Sequence, residues 1–112
     1  MAPVKRPGKY RNVRGGGFDS KKEAKRHAEL LLLLAAGAIS DLRRQTRWEL
    51  IPSQRVAGKV VERPAFYTCD FAYLEGGELV VEDVKSPATR TQAYVLRRKL
   101  MLWRYGLKVR EV

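Results

Sequence analysis

Polar and apolar residues fall into segments with different periods, and each change of period marks an element. Residues 1–17 show no period; Pro3, Pro7 and Gly15 to Gly17 interrupt them, and they carry Lys5, Arg6, Lys9, Arg11 and Arg14 without an acid. They read as a flexible basic arm. From residue 18 the pattern turns helical. Ser20 followed by Glu23 fits a capping box, Phe18 stands where a hydrophobic staple would, and Gly37 suits a left-handed stop after a helix ending near Ala36. The second half of that helix, Leu30 to Leu34, is apolar all round, which predicts either a sandwiched core helix or a surface for a partner subunit. Residues 43–52 read as a strand stopped by Pro52, and 53–64 as a basic loop or irregular hairpin. Two strands follow, "AFYTCDFAYLE" and "ELVVEDVKS", joined by Gly76-Gly77, a strong hairpin signal. After Pro87 a helix is predicted with Leu96, Leu100 and Trp103 as its apolar stripe and Gly106 as its stop, then a last strand in "LKVREV". Helix, three strands, helix, strand gives an α/β domain around a mixed sheet.

The hairpin has a chemical consequence. With a two-residue turn, Glu75 pairs with Glu78, which sets Asp70 opposite Asp83 and Thr68 opposite Lys85. Alternation then gives Asp70, Ala72, Leu74, Leu79, Val81, Asp83 and Lys85 one face, and Cys69, Phe71, Tyr73, Val80, Glu82 and Val84 the other. A three-residue loop would instead bring Glu82 to the face of Asp70. Two carboxylates roughly 5 Å apart at an effective dielectric near 20 repel by about 3 kcal/mol, a large share of a small domain's stability. Such a pair calls for a proton, an arginine or a metal, and converging carboxylates are what Mg²⁺ accepts. A lysine on the same face could hold water or stabilise charge developing on a phosphate. An Asp–Lys ion pair at a strand end is the plainer alternative.

Charge narrows the choice of partner. Twenty-three Lys and Arg against twelve Asp and Glu leave a formal charge of +11 on 112 residues, which implies a polyanion, nucleic acid before an acidic membrane surface. Apolar content of 45% rules out wholesale disorder. Cys69 is the only cysteine, so neither an internal disulfide nor a cysteine-based zinc site can form, which fits a reducing cytoplasm. The longest apolar run is too short to span a bilayer, and the N-terminus lacks a secretory signal's apolar segment.

Asp70, a hairpin and then "EDVK" resemble the bipartite signature of the PD-(D/E)XK nuclease superfamily, and the element order resembles its restriction-endonuclease-like αβββαβ core, a central mixed sheet flanked by helices. "GFDSKKEAKRHAEL", "VVEDVKS" and "KLMLWRYGLKVREV" further resemble small basic phage and prophage proteins assigned to that superfamily, over about residues 17–112. The resemblance implies an 18–112 nuclease-like domain that hydrolyses DNA phosphodiester bonds with Mg²⁺, Mn²⁺ substituting. Asp70 would be the central metal ligand, Asp83 the second acid, Lys85 the catalytic lysine, and Glu23 a further ligand from the first helix. Glu23 also fits the capping box, and one carboxylate rarely serves both roles. Two departures lower the motif's specificity: Cys69 stands where a proline is usual, and the second acid is Asp.

Arg14, Lys22, Arg90, Arg97 and Arg98 are candidate DNA-backbone contacts, each with a solvated face as its alternative; Gln45 and Gln92 are weaker candidates for substrate contact. His27 reads as structural, and Trp48 and Trp103 as core. Branched DNA such as a Holliday junction would suit a homodimer built on the leucine-rich helix end. The competing classes are a non-catalytic basic DNA-binding protein with a degenerate site and an RNA-binding domain; the latter explains neither the opposed aspartates nor Lys85.

Overall fold

A computed structural model describes residues 20–112, so the basic arm, Arg14, Phe18 and the boundary at residue 18 lie outside the described residues. The elements are α1 (Lys21–Ala35), β1 (Ser40–Ile51), β2 (Gln54–Val56), β3 (Lys59–Glu62), β4 (Ala65–Glu75), β5 (Glu78–Asp83), α2 (Gln92–Tyr105) and β6 (Arg110–Glu111). A short 3₁₀ turn over Pro87–Thr89 precedes α2. The main sheet has the order β1-β4-β5-β6; β4 runs antiparallel to β1 and β5, and β6 runs parallel to β5. The fold is thus mixed α/β, with a mixed sheet between two helices. The segment at 53–64, left open between loop and hairpin by its sequence, forms a separate two-stranded hairpin.

Each helix covers one face of the sheet. Leu30 of α1 packs with Ile39, Phe71 and Tyr73, with Leu42, Val80 and Val84 at the margin. On the opposite face, Tyr94 and Met101 of α2 pack with Leu50, Tyr67, Cys69, Ala72, Val81 and Val109. A buried polar network pins α1 to the sheet: Arg26 grips Glu82 from Nε at 2.9 Å and Nη2 at 2.7 Å, and the Tyr73 hydroxyl donates to the same carboxylate. Glu82 is wholly buried, so this bidentate partner keeps its charge tolerable.

Three expectations need correction. Tyr67 and Cys69 belong to the α2 side while Phe71 and Tyr73 belong to the α1 side, although strict alternation would put all four together. β1 switches likewise, with Leu42 on the α1 side and Trp48 and Leu50 on the α2 side. The switch falls at Gln45, a non-glycine residue held at φ 54° between the pairs Arg44–Phe71 and Thr46–Cys69. A local break of this kind re-aims side chains along a strand. Secondly, Trp103 is 80% exposed and Leu96 58%, because α2 buries the face of Tyr94 and Met101 instead. Thirdly, of the two readings open for Leu30 to Leu34, the sandwiched core helix does not hold: Leu30 alone of that run is buried, and Leu32 is 73% exposed.

Candidate active site

The Gly76-Gly77 turn has both residues at positive φ, 60° and 82°, as a two-residue type I′ hairpin requires. The register follows, from Glu75–Glu78 up to Phe71–Glu82. There the backbone ladder stops, and two side chains bridge the gap. The Asp70 amide donates to Asp83 Oδ1 at 3.0 Å, and the Val84 amide donates to Asp70 Oδ2 at 2.8 Å. The two aspartates therefore face one another, each carboxylate bonded to the other strand's backbone. Glu82 lies on the opposite face with Arg26, which excludes the three-residue-loop register.

Lys85 completes the group. Its Nζ lies 3.7 Å from Asp83 Oδ2 and 4.0 Å from the centre of the Tyr94 ring, so the ammonium rests between a carboxylate and an aromatic face. The backbone here is fixed by β6: Val112 donates to the Asp83 carbonyl and accepts from the Lys85 amide, both at 3.0 Å. Lys22 of α1 reaches across and donates to the Lys85 carbonyl at 2.6 Å. Asp83 is only 4% exposed. Burial first, and the Asp70 carboxylate second, push its carboxyl up from 3.8 to about 7, against the opposing pull of Tyr67, Lys85 and the Asp70 amide. The Tyr67 hydroxyl is buried and faces Asp83 without completing a well-formed hydrogen bond.

Asp83 and Lys85 open on a cleft of about 390 Å³ walled by Tyr67, Thr68, Thr91, Tyr94 and Arg97. Thr91 is the N-cap of α2, its hydroxyl accepting from the Tyr94 amide at 3.1 Å, so the positive end of that helix meets the cleft. A cation, an aromatic-supported lysine and a helix N-terminus on one wall suit a phosphate, and Asp83, the acid that lines the cleft, offers an oxygen donor of the kind a divalent metal takes.

The other sequence candidates divide clearly. Glu23 is buried; its amide donates to Ser20 Oγ at 3.1 Å, and its carboxylate accepts from Gln45 Nε2 at 3.3 Å. Glu23 thus reaches Gln45, the residue of β1 flanked by the partners of Cys69 and Phe71, and among the described residues no group of three or more His, Cys, Asp and Glu converges on one point. Arg97 lines the cleft, whereas Arg90 and Arg98 are ion-paired to Glu111 at 2.9 and 2.8 Å. Arg98 foremost, with Tyr94 and Arg90, draws the Glu111 carboxyl down to about 2. His27 stacks on Phe71 at 5.8 Å, as a structural residue should, and Gln92 lies outside the cleft wall. Sequence reasoning overlooked Tyr94 and Thr91; a threonine capping a helix that starts just after the "EDVK" strand is the signal that could have found them.

The family model described as "Protein of unknown function (DUF1064)" matches residues 5–111. Neither the curated proteins nor the solved structures offer a match.

Proposed function

The chain belongs to that family, whose description states no activity, and we propose from its own geometry that it is a metal-dependent endodeoxyribonuclease with a restriction-endonuclease-like fold. The observation that carries the reading is the opposition of Asp70 and Asp83 with Lys85 Nζ 3.7 Å from the second acid. The order helix, strand, hairpin-linked strand pair, helix, parallel strand supports the αβββαβ arrangement.

The donor set fits a divalent cation. Two hard oxygen ligands face each other, one is deeply buried, and burial together with the Asp70 carboxylate holds its proton to about pH 7. Asp70 and Asp83 would hold Mg²⁺ or Mn²⁺; when bound, such an ion supplies a Lewis acid and makes water acidic enough to attack near neutral pH. Lys85 sits at the cleft wall, where its ammonium offsets negative charge growing on a phosphate oxygen. Tyr94 holds that ammonium in place from below, and its ring keeps water from one side of it. Arg97, Lys22 and the α2 N-terminus draw the DNA backbone toward the same point. Glu23, held by Gln45 of β1, would serve this site as a positioning residue.

A second reading, a basic DNA-binding protein without catalysis, draws on one observation: no third acid joins the pair among the described residues. Relaxation of supercoiled plasmid separates the two. The nuclease reading expects nicking by the wild-type chain with Mg²⁺ or Mn²⁺, none in EDTA, and none by Asp83→Asn or Lys85→Ala despite retained DNA binding. Undiminished nicking by both variants removes the site; binding without nicking under any divalent metal favours the second reading.

A further inference from the structure

The β2–β3 hairpin is dispensable to closing the fold. Ile51 and Ala65 are already partners across β1 and β4, so a tight turn could join them. Instead the chain leaves the sheet, and every residue from 51 to 63 is exposed. A lone two-stranded ribbon in water has little stability of its own. This one bears exposed apolar residues, Val56 at 64% and Val61 at 53%, beside Arg55, Lys59 and Arg63, with Glu62 as its single acid. Neither Lys59 nor Arg63 forms an ion pair among the described residues. Its tip is stiff: Ala57 and Gly58 both take positive φ, 52° and 80°, in a two-residue turn, and Arg55 donates to the Gly58 carbonyl at 3.2 Å.

The ribbon's root adjoins the cleft. β4 begins at Ala65, and the next residues, Phe66, Tyr67 and Thr68, form the cleft wall. Arg47, stacked 3.5 Å over the Phe66 ring, continues the positive charge between the two. The major groove of B-DNA is about 12 Å wide and admits a two-stranded β-ribbon. We propose that this hairpin is a DNA-docking ribbon that enters the major groove beside the phosphate held in the cleft. Arg55, Lys59 and Arg63 meet the flanking phosphates, and the apolar tip at Val56 lies against the bases. The inference rests on the reading that the cleft handles duplex DNA.

The test uses the full chain, a triple variant (Arg55→Ala, Lys59→Ala, Arg63→Ala) and a second protein in which residues 53–63 are replaced by a short turn. Binding of a fluorescent DNA duplex is titrated in EDTA at several salt concentrations, beside an RNA duplex of the same sequence. Mg²⁺-dependent hydrolysis of bis(p-nitrophenyl) phosphate reports the cleft separately. Both variants should bind DNA roughly tenfold more weakly, and the slope of log affinity against log salt should fall by about 2 to 3 for the three lost cations. RNA, whose major groove is too narrow for the ribbon, should be little affected, and hydrolysis of the small ester should persist. Unchanged DNA affinity and slope, or an equal loss on RNA, overturns the proposal. Absence of hydrolysis in every form together with the DNA-specific loss removes the nuclease reading and leaves the ribbon in place.

Discussion

Asp83 is held under two opposing demands, and the conflict has a measurable signature. Its ordinary value is 3.8 and its folded value about 7. Between those limits the folded chain keeps a proton that the unfolded chain releases, so the contribution of Asp83 to stability is full below the ordinary carboxylate range and is lost as pH rises through about 7. Thermal melts of the metal-free protein should show this loss, and Asp83→Asn should flatten it. That variant should be more stable above neutral pH, on the order of 1–3 kcal/mol, while failing to nick DNA, the mark of a residue kept for function at a cost to the fold. Tyr94 is the other informative residue. Tyr94→Leu removes the ring beneath Lys85 and should slow nicking by roughly tenfold. Tyr94→Phe keeps the ring and loses the hydroxyl's bond to Glu111, so it should cost about 1 kcal/mol in urea denaturation and little activity. Asp70, Asp83 and Lys85 were legible because glycine dipeptides fix hairpin register. The pairing of Arg90 and Arg98 with Glu111 was not, since it depends on where β6 docks against α2.

The β4–β5 hairpin and the α1–sheet contact each depend on one local feature. A Cβ at Gly77 would meet nothing within 4 Å, yet the residue sits at φ 82°. Gly77→Ala should therefore destabilise through backbone strain alone, by about 1–2 kcal/mol, seen as a lower urea midpoint with an unchanged slope. Glu82→Ala strips Arg26 and Tyr73 of their common partner and should cost about 3 kcal/mol, with nicking by the remaining folded protein preserved because Glu82 faces away from the cleft. Element identities and turns were readable from period and from Gly37, Gly76-Gly77 and Gly106. The face switch at Gln45 was not: a glutamine at φ 54° leaves no trace in a pattern of alternating residues. For the same reason Cys69 was assigned to the wrong side. Trp103 was misplaced on α2 because two faces of that helix carry apolar residues, and the sheet selected the one with Tyr94 and Met101.

At the scale of the whole molecule, the proposed function assigns encounter to the net charge of +11 and chemistry to the acid pair. Among the described residues no helix is long and apolar enough to cross a membrane, and α1 leaves Leu31 to Leu34 exposed. Binding to DNA should weaken steeply with salt, whereas affinity for a divalent cation at the aspartate pair, of which Asp83 is buried, should respond far less, because screening acts mainly on exposed charge. The most direct measurement is equilibrium binding of Mn²⁺, followed by loss of the free-ion spin-resonance signal, in the wild type, Asp70→Asn and Asp83→Asn. The wild type should bind, with affinity rising as pH passes through about 7 and Asp83 gives up its proton, and neither variant should retain that site. Equal Mn²⁺ affinity in all three proteins, or no binding by the wild type at any pH where it is folded, would contradict it.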